Sequence, residues 1–261
     1  MKAHVALTVA ESKRLIAKGV VNMDIVKKAL SEGIVAIGRG TTNGRIVEEI
    51  LGKKIDRGNY IAGRVLPANG PKGKIGSDQS VPDVVLKNGE LVEGLSVVDS
   101  ASQMKAGDVY IKGCNALNYQ QKMGGILIGH PMGGTISALG AVVARKVHLV
   151  LPVGLEKCVF GDINELSMKS REDDEYFNGE PLRKPVAVGG TPSLMPVTGH
   201  IVTEIEALDI LAGVKTYLIS AGGIAGAEGA VWLLLEGEKA CLEKALKIVD
   251  ECSEIEQDSI F

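Results

Sequence analysis

Residues 34–51 read IVAIGRGTTNGRIVEEIL, and the change of pattern inside this stretch decides the fold. Ile34-Val35-Ala36-Ile37 is wholly apolar and too short for a helix, so it predicts a strand buried on both faces. Gly38-Arg39-Gly40-Thr41-Thr42-Asn43 then turns the chain. Ile46, Val47, Ile50 and Leu51 follow at helical spacing, and Gly52 ends the run. Strand, glycine-rich turn and helix in that order open a βα unit.

The same alternation continues on both sides. Glu11 to Gly33 carries helical periodicity through Leu15, Ile16, Ile25, Val26, Ala29 and Leu30. Downstream, Asp108–Ile111, Gly125–Ile128 and His148–Val153 read as strands, and Thr135–Arg145 as a helix. Asn88-Gly89 is a hairpin signal. The pattern predicts an α/β fold, a mostly parallel sheet flanked by helices with ligands at the carboxyl ends of its strands. Composition shifts after Val159. Residues 1–165 are expected to form an α/β ligand-binding domain, and 166–190 a charged linker or surface excursion. Residues 191–261 are expected to form a small α+β domain, its strand-helix-strand-strand-helix order suggesting a ferredoxin-like sandwich.

Bulk composition narrows the function. Hydrophobic residues make up 45%, aromatics 3%, and there are 33 glycines, which suits aliphatic strands and glycine turns. Few aromatics and a net charge of -3 leave no nucleic-acid signature. The four cysteines show neither CxxC nor CxxxH spacing, so no disulfide framework, metal site or cofactor is assigned. His200, Glu204 and Glu206 lie close in sequence without a spacing that makes them converge on a metal. MKAHVALTVAESKR lacks the apolar stretch of a signal peptide, and six glycines, a His and a Pro interrupt the uncharged window Met123–Ala144. The chain therefore reads as cytoplasmic, with no membrane partner, and as a homo-oligomer.

Three junctions carry candidate chemistry. At Gly38, Arg39, Gly40, Thr41, Thr42 and Asn43 the backbone N–H groups and the helix dipole can converge on an anion that Arg39 neutralises. The alternative is an N-capped helix after a tight turn. At Lys112-Gly113-Cys114-Asn115, Asn115 can bond a substrate and Cys114 can act as nucleophile, or Cys114 is simply a buried strand-end thiol. At His130-Pro131-Met132-Gly133-Gly134-Thr135, the amides of Gly133, Gly134 and Thr135 can make a second anion cradle with His130 as acid or base, or Thr135 only caps a helix. Lys157, after the last strand, can reach a carboxylate or phosphate, or is a solvated surface residue. AGGIAGAEG at 221–229 is a ligand-contacting loop or a hairpin connection.

Together AIGRGTTNGRIVEEIL, AGDVYIKGCNAL and GGILIGHPMGGTISALGAVVARKVHLVLPVGLEKCV resemble the NagB/RpiA/CoA-transferase-like superfamily over about residues 11–160. The resemblance implies an α/β fold with an anion loop, and isomerase- or transferase-like activity on a phosphorylated or acyl substrate. The departures are specific. Lys112 and Asn115 stand where the sugar-phosphate isomerases carry two acidic residues. ILIGHPMGG lacks their "KGxG" lysine, and no glutamate can be placed as a CoA-transferase nucleophile. Aldose–ketose isomerisation needs a positioned base, which only Cys114 and His130 remain to offer. The expectation is a protein that binds a small anionic metabolite (phosphorylated sugar, nucleotide, CoA or carboxylate), either as an enzyme lacking the usual acidic residues or as a non-catalytic sensor or assembly protein.

Overall fold

Ile34–Ile37 is buried at every residue, and the rest of the sheet is organised on this strand. The computed structural model describes residues 1–62, 82–129, 134–172, 176–177, 180–181 and 192–253. The chain runs β1 (Lys2–Leu7), α1 (Val9–Asn22), α2 (Asp24–Glu32), β2 (Ile34–Ile37), α3 (Thr41–Leu51), β3 (Val84–Lys87), β4 (Glu90–Leu91) and α4 (Val97–Ala101). Next come β5 (Val109–Ile111), β6 (Ala116–Asn118), β7 (Met123–Ile128), α5 (Gly134–Ala144), β8 (His148–Pro152), a 3-10 turn (Leu155–Lys157) and α6 (Ile163–Lys169). A two-residue hairpin, β9 (Tyr176–Phe177) and β10 (Glu180–Pro181), precedes β11 (Ser193–Val197), β12 (His200–Val202), α7 (Glu204–Ala212), β13 (Lys215–Ala221), β14 (Val231–Glu236) and α8 (Lys239–Ser253).

The largest sheet has six strands in the order β12-β8-β5-β2-β3-β4. The pairs β12–β8, β8–β5 and β5–β2 are parallel; β2–β3 and β3–β4 are antiparallel. The fold is therefore α/β with a mostly parallel sheet. Successive side chains alternate across it. Val35, Ile37, Val109, Ile111 and Val150 meet Leu15, Ile16, Val26, Ile46 and Val47 from α1, α2 and α3 on one face. Ile34, Ala36, Tyr110, Leu149 and Leu151 meet Val97, Ala101, Ala138 and Val142 from α4 and α5 on the other. Asp108, buried, locks the amino-terminal end of the sheet: its Oδ1 accepts from Ile34 N at 2.8 Å and its Oδ2 from Lys105 N at 2.7 Å. A Cβ on Gly33 would lie 2.6 Å from that Oδ1, so the clamp needs glycine there.

Several local readings differ from the expectations. The helix expected over 11–33 breaks at Met23, which takes an extended conformation between α1 and α2. Gly125–Ile128 belongs to β7, which lies outside the parallel sheet in an antiparallel β11-β7-β6 sheet. The carboxy-terminal strand-helix-strand-strand-helix order is present, yet its first strand, β12, pairs with β8. Its place beside β14 is taken by β1, in an antiparallel β1-β14-β13 sheet. Elements on both sides of the expected 166–190 connection thus share three sheets, through β1–β14, β7–β11 and β8–β12. No helix among the described residues is long and apolar enough to cross a membrane.

Candidate functional site

Four parallel strands end side by side, so the segments leaving them line one edge at the usual spacing of about 4.8 Å. β2 delivers Gly38 and Arg39, β5 delivers Lys112, Gly113 and Cys114, β8 delivers Glu156 and Lys157, and β12 delivers Thr203 and Glu204.

The glycine turn is held from below. Tyr60, buried, donates its hydroxyl to Ile37 O at 2.7 Å. Burial, reinforced by the charge of Asp83, raises its pKa and keeps the phenol protonated. Asn43 is fully buried and donates Nδ2 to Gly38 O at 2.5 Å and to Ile111 O at 3.4 Å, tying the turn to β5. Its Oδ1 has no hydrogen-bond partner among the described residues, and a Cβ on Gly113 would lie 3.8 Å from it. Gly40 occupies the N-cap of α3 with no side-chain cap, which leaves the first-turn amides of Thr41, Thr42 and Asn43 and the positive end of the helix dipole at the edge. Arg39 Nε pairs with Asp83 Oδ1 at 3.3 Å, and Asp83 Oδ2 accepts from Val97 N at 3.0 Å.

Lys112 runs along this turn: a Cβ on Gly38 would meet its Cδ at 3.2 Å, tighter than ordinary contact. Burial lowers its pKa, and Arg39 adds to that effect, while Cys114 and Asp83 oppose it. No ion pair joins Lys112 to another described residue. Cys114 is buried, with its Sγ where a Cβ on Gly124 would fall within 2.6 Å. Burial pushes its pKa up to about 12 although Lys112 and Lys157 pull it down, so at neutral pH it is a thiol and a poor nucleophile.

The other expected residues are placed differently. Asn115 serves the β6–β7 connection: its N donates to Gly125 O at 2.8 Å and its Oδ1 accepts from Leu127 N at 3.0 Å. Lys157 pairs with Glu156 Oε1 at 2.5 Å. Gly134 and Thr135 open α5, but their side-chain surroundings, together with His130 and Gly133, lie outside the described residues. The 221–229 loop closes the β13–β14 hairpin, and Gly229 approaches Glu156, a Cβ there lying 3.9 Å from the glutamate Cβ.

Two residues that the spacing did not single out for this edge belong to it. Asp83 anchors Arg39. Glu204, fully buried in the first turn of α7, accepts Leu155 N at 3.0 Å through Oε2. Burial, with a further push from Glu156, raises its pKa to about 7, so it exchanges a proton near neutrality. The capping box Thr203–Glu206 marked the helix start in sequence, but nothing local showed that Glu204 would be buried.

No family model, curated protein or solved structure matches this chain. Its chemistry rests on the atoms of the edge itself. A separate cavity of about 650 Å³ lies between α6, β7 and β11, lined by Ile128, Met168, Leu194, Met195 and Arg171. It is roomy and mostly apolar, but the converging charges and the proton-exchanging carboxyl are at the strand ends, and these outweigh volume in locating a functional site.

Proposed function

We propose that the chain binds a small anionic metabolite, a phosphorylated sugar, nucleotide, CoA or carboxylate, at the Gly38–Asn43 loop. The anionic group would sit between Arg39, Lys112 and the first-turn amides of α3. Lys112 carries this reading: it is a half-buried ammonium with no ion pair to a described residue, beside an uncapped helix start. Two positive features withdrawn together from water are costly unless an anion joins them. The buried Oδ1 of Asn43 supplies an acceptor for a hydroxyl or N–H next to the anion. Membership of the NagB/RpiA/CoA-transferase-like superfamily, implied by the motif series, belongs to the same proposal, as do a cytoplasmic location and a homo-oligomer.

If the site is catalytic, Glu204 supplies proton transfer at neutral pH better than the Cys114 thiol does. The protonated state of Cys114 favours the second reading, a sensor that binds the metabolite without turning it over. The test is a thermal-shift screen against sugar phosphates, nucleotides, acyl-CoAs and folates. A ligand present at about 100 times its Kd stabilises the folded state by about 2.7 kcal/mol. At least one anion should raise the Tm of the wild type, with the shift reduced in Arg39→Ala and lost in Lys112→Met. An anion that stabilises all three proteins equally would sink the reading. Turnover of the identified ligand, abolished by Glu204→Gln, separates enzyme from sensor.

A further inference from the structure

His148 and His200 open neighbouring parallel strands at the edge of the sheet opposite the anion cleft. In the β8–β12 register His200 stands opposite Val150, so His148, two residues earlier, projects from the same face of the sheet as His200. Nδ1 of His148 lies 3.2 Å from Nε2 of His200, and the ring centroids are 5.3 Å apart. The backbone beneath them is fixed: His148 N donates to Asp108 O at 2.9 Å, and Asp108 is itself clamped to Ile34 and Lys105. Imidazole nitrogens bind a zinc-sized cation at about 2.0–2.1 Å. At that bond length the 3.2 Å separation corresponds to an N–metal–N angle of about 100°, between the square-planar and tetrahedral values.

We propose that His148 and His200 form a two-imidazole site for a late first-row divalent cation (nickel, copper or zinc), with solvent completing its coordination. Binding through these two atoms uses the Nε2–H tautomer of His148 and the Nδ1–H tautomer of His200, so two neutral rings lose no proton. Among the described residues no group of three or more His, Cys, Asp or Glu gathers around a common point. The site is therefore open and exchangeable rather than a closed structural zinc centre. Nitrogen donors alone also select against magnesium and calcium, which take oxygen ligands. A bound cation would strap the edge strand β12 to β8.

The experiment is titration of the full-length, metal-stripped protein with nickel, zinc or copper chloride at neutral pH, followed by calorimetry and, for copper, by electron paramagnetic resonance. One saturable site per chain is expected, with hyperfine structure from coordinated nitrogen and no response to magnesium. His148→Ala and His200→Ala should each abolish that site while leaving the far-UV circular dichroism and the metal-free Tm unchanged. Acidification below the ordinary histidine range should release the cation. Absence of saturable binding at millimolar metal would overturn the proposal and leave the pair as a plain imidazole–imidazole hydrogen bond. A copper spectrum that persists unchanged in the double variant would overturn it equally, by showing that the metal sits elsewhere.

Discussion

Glu204 has no exposed surface and accepts from Leu155 N, and its pKa of about 7 follows from that burial, which outweighs its hydrogen bonds. In the unfolded chain the same carboxyl ionises near the ordinary glutamate value of about 4.3. Between these two pH values the folded state holds more proton than the unfolded state, so stability falls as pH rises through the window and levels off above it. The loss attributable to this one group is about 4 kcal/mol. Glu204→Gln keeps an oxygen for Leu155 N and has no charge to bury. Urea unfolding of the variant at acid and at mildly alkaline pH should show that component gone, with the larger gain over wild type on the alkaline side. Asn43 makes the opposite case. Asn43→Asp would set a carboxylate against the carbonyls of Gly38 and Ile111, where Nδ2 now donates, and should cost about 1–3 kcal/mol in the same assay.

At the scale of elements, α1 and α7 start on the same device. Thr8 and Glu11 form a capping box, as do Thr203 and Glu206, with Thr8 N to Glu11 Oε2 at 2.6 Å and Thr203 N to Glu206 Oε2 at 3.0 Å. Thr8→Ala should cost about 1 kcal/mol, read as a lower urea midpoint at unchanged m-value. Elements whose signal is local were legible in the sequence: the apolar run of β2, the Asn88-Gly89 turn, and the order from β12 to α8. β1 was not, because Val5 and Leu7 alternate with His4 and Ala6 over too short a span, and the strand exists through its distant partner β14. The Met23 break escaped because apolar periodicity runs on across it. The cleft divides the same way. The glycine turn and Lys112 could be placed from the strand that precedes each. Asp83 and Tyr60 reach the edge from elsewhere in the fold, and the burial of Glu204, although β12 delivers it there, leaves no local trace in sequence.

For the whole molecule, the β1-β14-β13 sheet joins the amino-terminal strand to the carboxy-terminal elements, with Leu7 opposite Val231 and Lys2 opposite Glu236. Leu7 is fully buried in the core shared by α1, α7 and α8. Leu7→Ala should cost about 2–5 kcal/mol. Because β14 is paired on both sides, hydrogen exchange in that variant should show protection falling along β14 and β13 together, whereas a merely local defect would leave β13 unchanged.

That pairing also orders events in time. A ribosome releases β1 more than two hundred residues before β14, so β1 must wait for that length of synthesis before its partner emerges. The parallel strands β2, β5 and β8 can assemble as they emerge, but β1, which precedes them, cannot be seated until β14 is made. The nascent chain therefore carries Val5 and Leu7 uncovered while the residues between β1 and β14 are made, which makes β1 the natural point of engagement for a chaperone.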